Sequence, residues 1–421
     1  MRLHCTVSLR MMEVEVGRHS VLLTRFEGKF NAFGNLCTHY GAPLSKGFIS
    51  GQRVRCPWHG SCFNLITGDL EEYPGMDCLP CHKTIRQQKR LKHMGRAEPG
   101  VTHTILLLGG GAASLSCAET LRQENYNGRI IMVSRDDLLP YDKTRLSKVM
   151  NVESSSIMLR TKEFYQQYDI EVWLKKEALS VDTDMKTVTF DDGLVQKYDQ
   201  LLISTGCRYE RYTQILHTML SDKNVKFYMN DNVTEVRHEN GKCSEAILSS
   251  FSLLPGIIPN SEFLRGTKIQ MDSKNFVPVD KHMQTNVPGV FCGGDLSTFP
   301  LAMAKDHRVN IGHWQMAQTH GRIAALNMLG KQTELNTVPF YWTVLLGKTV
   351  RYTGYGEGYT EIVMKGKPEE KKFLALYIKN DQVIAAVSLN FDPAVSAVAE
   401  RLVTGKVITK KEAQYVLLSW L

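Results

Sequence analysis

The chain has 421 residues, 43% of them hydrophobic and 22% charged, which is ordinary for a globular protein and long enough for roughly two to four domains with cores of their own. No apolar run approaches the roughly 18 residues a membrane helix needs, and ten Cys at irregular spacing do not make a disulfide framework. The net charge of +8 keeps nucleic acid and anionic surfaces in view as partners.

The opening MRLHCTVSLRMM has Arg2 and Arg10 and no acid before Glu13, in the manner of a mitochondrial presequence but shorter than one. A cytoplasmic or mitochondrial setting is the expectation, and reduced thiols suit either. Residues 12 to 35 alternate apolar and polar positions (Val14 and Val16, Val21 and Leu23, Phe30 and Phe33), with Gly17 and Gly28 at turns, which predicts short antiparallel strands.

Then come Cys37-Thr-His39 and, after sixteen residues, Cys56-Pro-Trp-His59. Two thiolates and two imidazoles in alternating pairs are what a Rieske [2Fe-2S] centre needs, with two Cys on one iron and two His on the other. A structural zinc finger would place a Cys pair ahead of a His pair. Two unrelated buried Cys and two surface His would not recur with Gly, Pro and Trp in both loops.

The segment resembles the Rieske domain family. High-potential members join the loops through a second Cys in each; Ala42 and Trp58 occupy those positions here, so the resemblance implies the ferredoxin-like, lower-potential branch. Cys62, Cys78 and Cys81 are left over. Cys78-Leu-Pro-Cys81 reads either as a redox dithiol or as packed free thiols, and no following helix N-terminus favours a lowered thiol pKa.

Lys83, Arg86, Lys89, Arg90, Lys92 and Arg96 crowd into fourteen residues. Without interleaved aromatics, and placed where a linker is expected, the run predicts a solvated tether rather than a nucleic-acid site.

At Thr104 the character changes. An apolar strand, Ile105 to Leu108, enters Gly109-Gly-Gly111-Ala-Ala-Ser114, followed by a helical stretch to about Gln123 and a second apolar strand, Ile130 to Val133. This is a βαβ unit with a dinucleotide fingerprint at its first turn, where a helix N-terminus receives a pyrophosphate. The fingerprint is imperfect: Ser114 replaces the third Gly, and Ser134 stands where an acid usually holds the ribose.

TNVPGVFCGGD, Thr285 to Asp295, resembles the strand and loop of FAD-dependent pyridine-nucleotide reductases, whose terminal Gly-Asp binds the ribityl chain. LLPYDKTRLSKVM, Leu138 to Met150, LLISTG, Leu201 to Gly206, HWQMA from His313, and PFYW ending at Trp342 resemble further segments of that family in the same order. The resemblance implies FAD contacts at Gly109, Gly111, Ser114, Arg135, Lys143, Lys148 and Asp295. Trp314 and Trp342 lie against the isoalloxazine ring in the same reading, and Lys148, beside the flavin, takes the catalytic role. No C-x4-C dithiol accompanies the first FAD segment, which disfavours the disulfide reductases of the superfamily.

The full order resembles the Rieske-bearing apoptosis-inducing-factor-like oxidoreductases. The implied fold class is multidomain. It comprises an all-β Rieske domain over 1–85, a basic linker over 86–103, an α/β Rossmann-like FAD domain in two segments, 104–210 and 266–336, and an α+β C-terminal domain over 337–421. Between the FAD segments, 211–265 is the remnant of an NAD-binding domain. Only 78 residues, Cys207 to Gln284, are available for it, against about 100 to 150 for a typical domain. They contain no G-x-G-x-x-G; Gly241, Gly256 and Gly266 stand alone. What remains predicts a helix over YTQILHTMLSDK, a strand over VKFYMN and a hairpin around Asn240-Gly241, with a second gap after Ser250. A shortened splice form and a gene-model error both produce this pattern.

The expected function is an oxidoreductase passing electrons from NAD(P)H through FAD to the [2Fe-2S] cluster at Cys37, His39, Cys56 and His59, and on to an unidentified acceptor. The missing Gly-rich unit counts against NAD(P)H binding by this chain. The alternative is a non-catalytic cluster-bearing binding or signalling protein in apoptosis regulation.

Overall fold

Three antiparallel strands, β1 (Met11–Val16), β2 (His19–Phe26) and β3 (Lys29–Gly34), start the structure, as the alternating pattern predicts. The structure is a computed structural model, and it describes residues 11–26, 28–80, 90–146, 153–209, 231–239, 242–250, 257–345 and 347–415. The inward set differs from the alternation. Val21, Leu22 and Phe33 are buried while Val16 and Phe30 are exposed, because so small a sheet covers only part of one face.

A second antiparallel sheet, β4 (Phe48–Ser50), β5 (Arg53–Arg55), β6 (Cys62–Asn64) and β7 (Leu70–Glu72), completes the first domain. The loop after β3 carries Cys37 and His39, and the loop between β5 and β6 carries Cys56 and His59. Both Cys belong to one core cluster with Leu22, Phe33, Val54 and Phe63, so hydrophobic packing brings the two loops together.

The basic run does not continue as a solvated tether. From Arg90 onward the chain is strapped down: Arg90 pairs with Asp69, its backbone bridges Cys78, Met94 is buried in the large core, and Arg96 donates to the carbonyl of Gln167. An apolar Met and satisfied guanidinium donors outweigh the solvation that the charge run suggests. Residues 81–89, with Lys83, Arg86 and Lys89, lie outside the described residues.

The FAD-type domain is a parallel sheet whose central strand, β8 (Thr104–Leu108), is buried at every residue. It pairs with β9 (Arg129–Val133) on one side and Gln200–Ile203 on the other; β10 (Ile170–Trp173) and Val290–Cys292 extend the two edges. The helix α1 (Ala112–Gln123) follows β8 and lies against the helix Trp314–Met328 so closely that a Cβ on Gly321 would stand 2.0 Å from the carbonyl of Ala113. Ligands in such sheets sit where strand order reverses, at the C-terminal end of β8.

Between the FAD segments, Cys207–Tyr209 pairs with Ile257–Pro259, and Asp231–Glu239 with Lys242–Ser250 forms the expected hairpin. The predicted helix over 212–223, the strand over 225–230 and the Asn240-Gly241 turn lie outside the described residues. The C-terminal domain is a five-stranded antiparallel sheet from Phe340 to Leu389, covered by the helix Ala394–Val403.

Candidate redox site

The four expected iron ligands converge. Nδ1 of His39 and Nδ1 of His59 are 3.0 Å apart, near enough for both to reach one metal at about 2 Å. The thiols of Cys37 and Cys56 hydrogen-bond to each other, both wholly inside the domain core. Among the described residues no three His, Cys, Asp or Glu converge on a single ion. A two-iron centre asks instead for a thiol pair and an imidazole pair, and that is the arrangement present, so the donor set fits the cluster.

Backbone geometry holds the loops. Cys37 N–H donates to Ala42 O at 2.8 Å, and Cys56 N–H to Ser61 O at 2.8 Å. Burial, then His39, then the Arg351 cation lower the His59 pKa to about 2, so its imidazole is in the neutral, ligating form at neutral pH. The Cys56 thiol, despite burial, is held below its ordinary value by hydrogen bonds from Cys37 and from the backbone of His59 and Trp58.

The histidine edge points into the rest of the molecule. Trp342, on the first strand of the C-terminal sheet, has its ring 5.0 Å from that of His59 and 6.0 Å from that of His39. The His313 ring lies 4.6 Å from that of Trp342, edge-on. His313 is the N-cap of the helix Trp314–Met328, next to Gly312, whose Cα faces the Asp295 carboxylate. Tyr40, its ring tilted against that of His39 at 4.1 Å, donates to Asp142 in the FAD-type domain; burial and Asp142 push its phenol up to about 12.

The residues expected at FAD divide between those that open onto space and those that pack. Gly109 has φ +123°, and a Cβ there would stand 2.3 Å from the carbonyl of Ser204, so only Gly serves. Gly111 caps α1 with no side-chain hydrogen bond, and a Cβ there would meet nothing within 4 Å, which leaves open space at a helix N-terminus. Asp295 accepts no side-chain hydrogen bond from any described residue, and burial raises its pKa while Lys143 draws it down. An open N-terminus and a carboxylate awaiting donors fit a pyrophosphate and a ribityl chain.

Ser114 is different. It is fully buried with its hydroxyl 2.7 Å from that of Ser204, so its side chain serves helix–strand packing rather than an open phosphate site. Ser134 likewise packs against Gly110, where a Cβ would approach its Oγ to 2.5 Å. Arg135 is largely exposed and paired with Glu177 at 3.2 Å. Lys143 lies over the Tyr141 ring, 3.9 Å from Asp136. Trp314 packs with Ala112, Ala113 and Ala317 beside the Gly-rich turn. Lys148 lies outside the described residues. Cys62 and Cys78 are free and buried, and Cys81 lies outside the described residues.

For a nicotinamide nucleotide the residues do not fit. Cys207 to Gln284 carries no glycine-rich turn, and among its described residues two antiparallel pairs and the two-residue strand Val277–Pro278 are present, with no parallel strand leading into an α-helix. Sequence reasoning missed Tyr40, Asp142 and His313 as neighbours of the cluster loops. Only the HWQMA segment gave a signal for the last of them.

The model of the Rieske [2Fe-2S] domain matches residues 6–83, that of the pyridine nucleotide-disulphide oxidoreductases residues 103–213 and 209–321, and that of the reductase C-terminal domain residues 340–414. The two oxidoreductase matches overlap at 209–213. Apoptosis-inducing factor 3 of Mus musculus is 39% identical over 511 aligned positions, covering 97% of this chain and 84% of the relative. That of Homo sapiens is 38% identical over the same span. An alignment of 511 positions on 421 residues closes only with long gaps in this chain. Among solved structures, the covalent putidaredoxin reductase–putidaredoxin complex matches with a TM-score of 0.63 at 18% identity, over 76% of this chain and 98% of that one, a likeness of fold. The chain belongs to the pyridine nucleotide-disulphide oxidoreductases, electron-transfer flavoproteins that bind FAD and NAD(P)H, in the apoptosis-inducing-factor-like branch that carries a Rieske [2Fe-2S] domain.

Proposed function

We propose that this chain moves electrons between its FAD site and its Rieske site inside one polypeptide, with the first domain in the place of a separate ferredoxin. The observation that carries the reading is the unbroken ring contact from His59 through Trp342 to His313, at 5.0 and 4.6 Å. When bound, FAD exchanges electrons in pairs or singly and the cluster one at a time. The chain's own residues orient and tune. Gly111 and the α1 N-terminus receive the pyrophosphate, Asp295 the ribityl hydroxyls, and Lys143 supplies positive charge near Asp295. Cys37 and Cys56 hold one iron, His39 and His59 the other. Lys148 is assigned beside the flavin by its place in the family pattern.

In the family pattern NAD(P)H supplies the electrons. Here the nucleotide cradle is missing, so entry from NAD(P)H is impaired and the flavin-to-cluster leg is what this chain retains. A terminal acceptor outside the chain completes the path. The same missing cradle favours a second reading, a cluster-bearing protein that acts through partners in cell-death regulation, as the names of its relatives suggest.

Anaerobic protein carrying both groups tests this. After photoreduction of the flavin, loss of flavin absorbance should be followed by the spectrum of a reduced cluster, while NADH or NADPH alone bleaches the flavin slowly or not at all. A flavin that stays reduced beside an oxidised cluster defeats the electron-transfer reading and leaves the binding-protein one.

A further inference from the structure

The two ligand loops are held differently. The first, Cys37 to Ala42, closes on itself through Cys37 N–H to Ala42 O and Gly41 N–H to Cys37 O, both 2.8 Å. The second is gripped from the C-terminal domain at Cys56, Trp58 and Gly60. Ser396 Oγ donates to the carbonyl of Cys56 at 3.0 Å, and Arg351 Nε to that of Trp58 at 2.6 Å. The ring of Phe340 fills the space where a Cβ on Gly60 would stand, 2.8 Å away. Arg55, one residue before the ligand, reaches Glu400 at 2.5 Å and the carbonyl of Gly60 at 2.9 Å.

Arg351 stands out among these. It is 3% exposed, it is anchored by Asp392 at 2.9 Å, and its guanidinium binds the carbonyl midway between the ligands Cys56 and His59. Arg stays protonated at any working pH, so this is a permanent cation.

We propose that Arg351 is a positioning residue for the cluster, fixing the Trp58 carbonyl and setting the reduction potential of a centre seated in the N-terminal domain by a charge that the C-terminal domain supplies. One-electron reduction adds a negative charge to the site. A buried cation stabilises that form more than the oxidised one, and low local dielectric makes the difference large. The charges around the loop from the packed elements are Asp392, which anchors Arg351, and Glu72 and Glu400, which oppose Arg55 and Arg53. Removing Arg351 therefore lowers the potential, and removing the Glu400 charge raises it. Loosening of the loop would instead move both variants the same way.

The inference rests on the cluster assignment of the proposed function. The test is an EPR-monitored redox titration of the full chain at one pH, comparing wild type with R351Q, R351K and E400Q. The expected results are a roughly tenfold shift of the reduced-to-oxidised ratio towards oxidised in R351Q, about 59 mV for a one-electron couple, a value near wild type in R351K, and an opposite shift in E400Q. Should R351Q fail to hold a cluster, E400Q carries the test alone: a raised potential supports the inference, and an unchanged or lowered one overturns it. A wild-type chain with no Rieske signal overturns both this inference and the proposed function. A wild-type signal with R351Q unshifted, or with R351Q and E400Q displaced in the same direction, overturns this inference only.

Discussion

His59 is 8% exposed, and its partner nitrogen on His39 lies 3.0 Å away, so each imidazole is placed by burial and by the other. Deleting one removes half of an iron's protein ligands. His59→Ala is expected to lose the visible and EPR signature of the cluster while flavin absorbance persists. Asp295 offers the complementary test. Its carboxylate lacks a described donor, and a charge-assisted hydrogen bond to a bound ribityl chain is worth about 1.5 to 3 kcal/mol. Asp295→Ala should therefore weaken flavin retention roughly tenfold to a hundredfold, read by flavin fluorescence on dilution, with the cluster signal unchanged. Both residues are named by the sequence, one by Cys-x-x-His spacing and one by a Gly-Asp at a strand end. Arg351 is not: an Arg in a strand of ordinary composition carries no local mark of a partner 293 residues away.

Among the elements, the pair formed by α1 and the helix Trp314–Met328 fixes the nucleotide end of the site. Their separation depends on Gly321, where an added Cβ would meet the Ala113 carbonyl at 2.0 Å, and a backbone carbonyl cannot swing aside. Gly321→Ala is expected to cost about 1 to 3 kcal/mol and to shift α1, with flavin lost before the fold melts, checked by thermal unfolding alongside flavin release. The apolar strand and glycine turn announced α1 from sequence. The helix Trp314–Met328 was signalled only by family likeness, since its lack of side chain at Gly321 has meaning only opposite Ala113.

At the scale of the molecule, the Rieske-type domain is bound to both neighbours through buried polar contacts. Arg160 joins Asp77 at 2.7 Å to Glu119 at 2.8 Å, while Arg55 and Arg53 join Glu72 to Glu400. Burial pushes the Glu72 carboxyl up, but Arg55 and Arg53 outweigh it and hold its pKa below 4.5. A depressed folded pKa contributes stability that is present above the unfolded value and lost as pH falls through the folded one. Stability to urea should therefore hold down to about pH 4.5 and fall below it, and Glu72→Gln should flatten that acid limb. Glu119, raised by burial, works in the opposite sense, so the difference between wild type and variant isolates Glu72. Glu400→Ala removes one of the two carboxylates on the buried Arg55 and leaves it Glu72, so the loss in the same melts should be about 1 to 3 kcal/mol.

Ligand identities, the β8 turn and the order of domains could be read from the chain because each depends on backbone geometry over a few residues: a Cys-x-His loop, a glycine at φ +123°, an apolar strand. From Arg90 onward the basic stretch was misjudged for the same reason, since charge density is local while Met94 finds its core and Arg90 its carboxylate only after folding. The meeting of Cys56 with Ser396, 340 residues apart, and of His59 with Trp342 leaves no periodicity or spacing to detect. Sequence by itself singled out the Cys and His proposed to hold iron and the glycine turn proposed for a nucleotide. The tertiary structure alone decided that the histidine edge faces the flavin end and that the C-terminal domain closes the cluster loop, because burial between domains depends on the complementarity of whole surfaces.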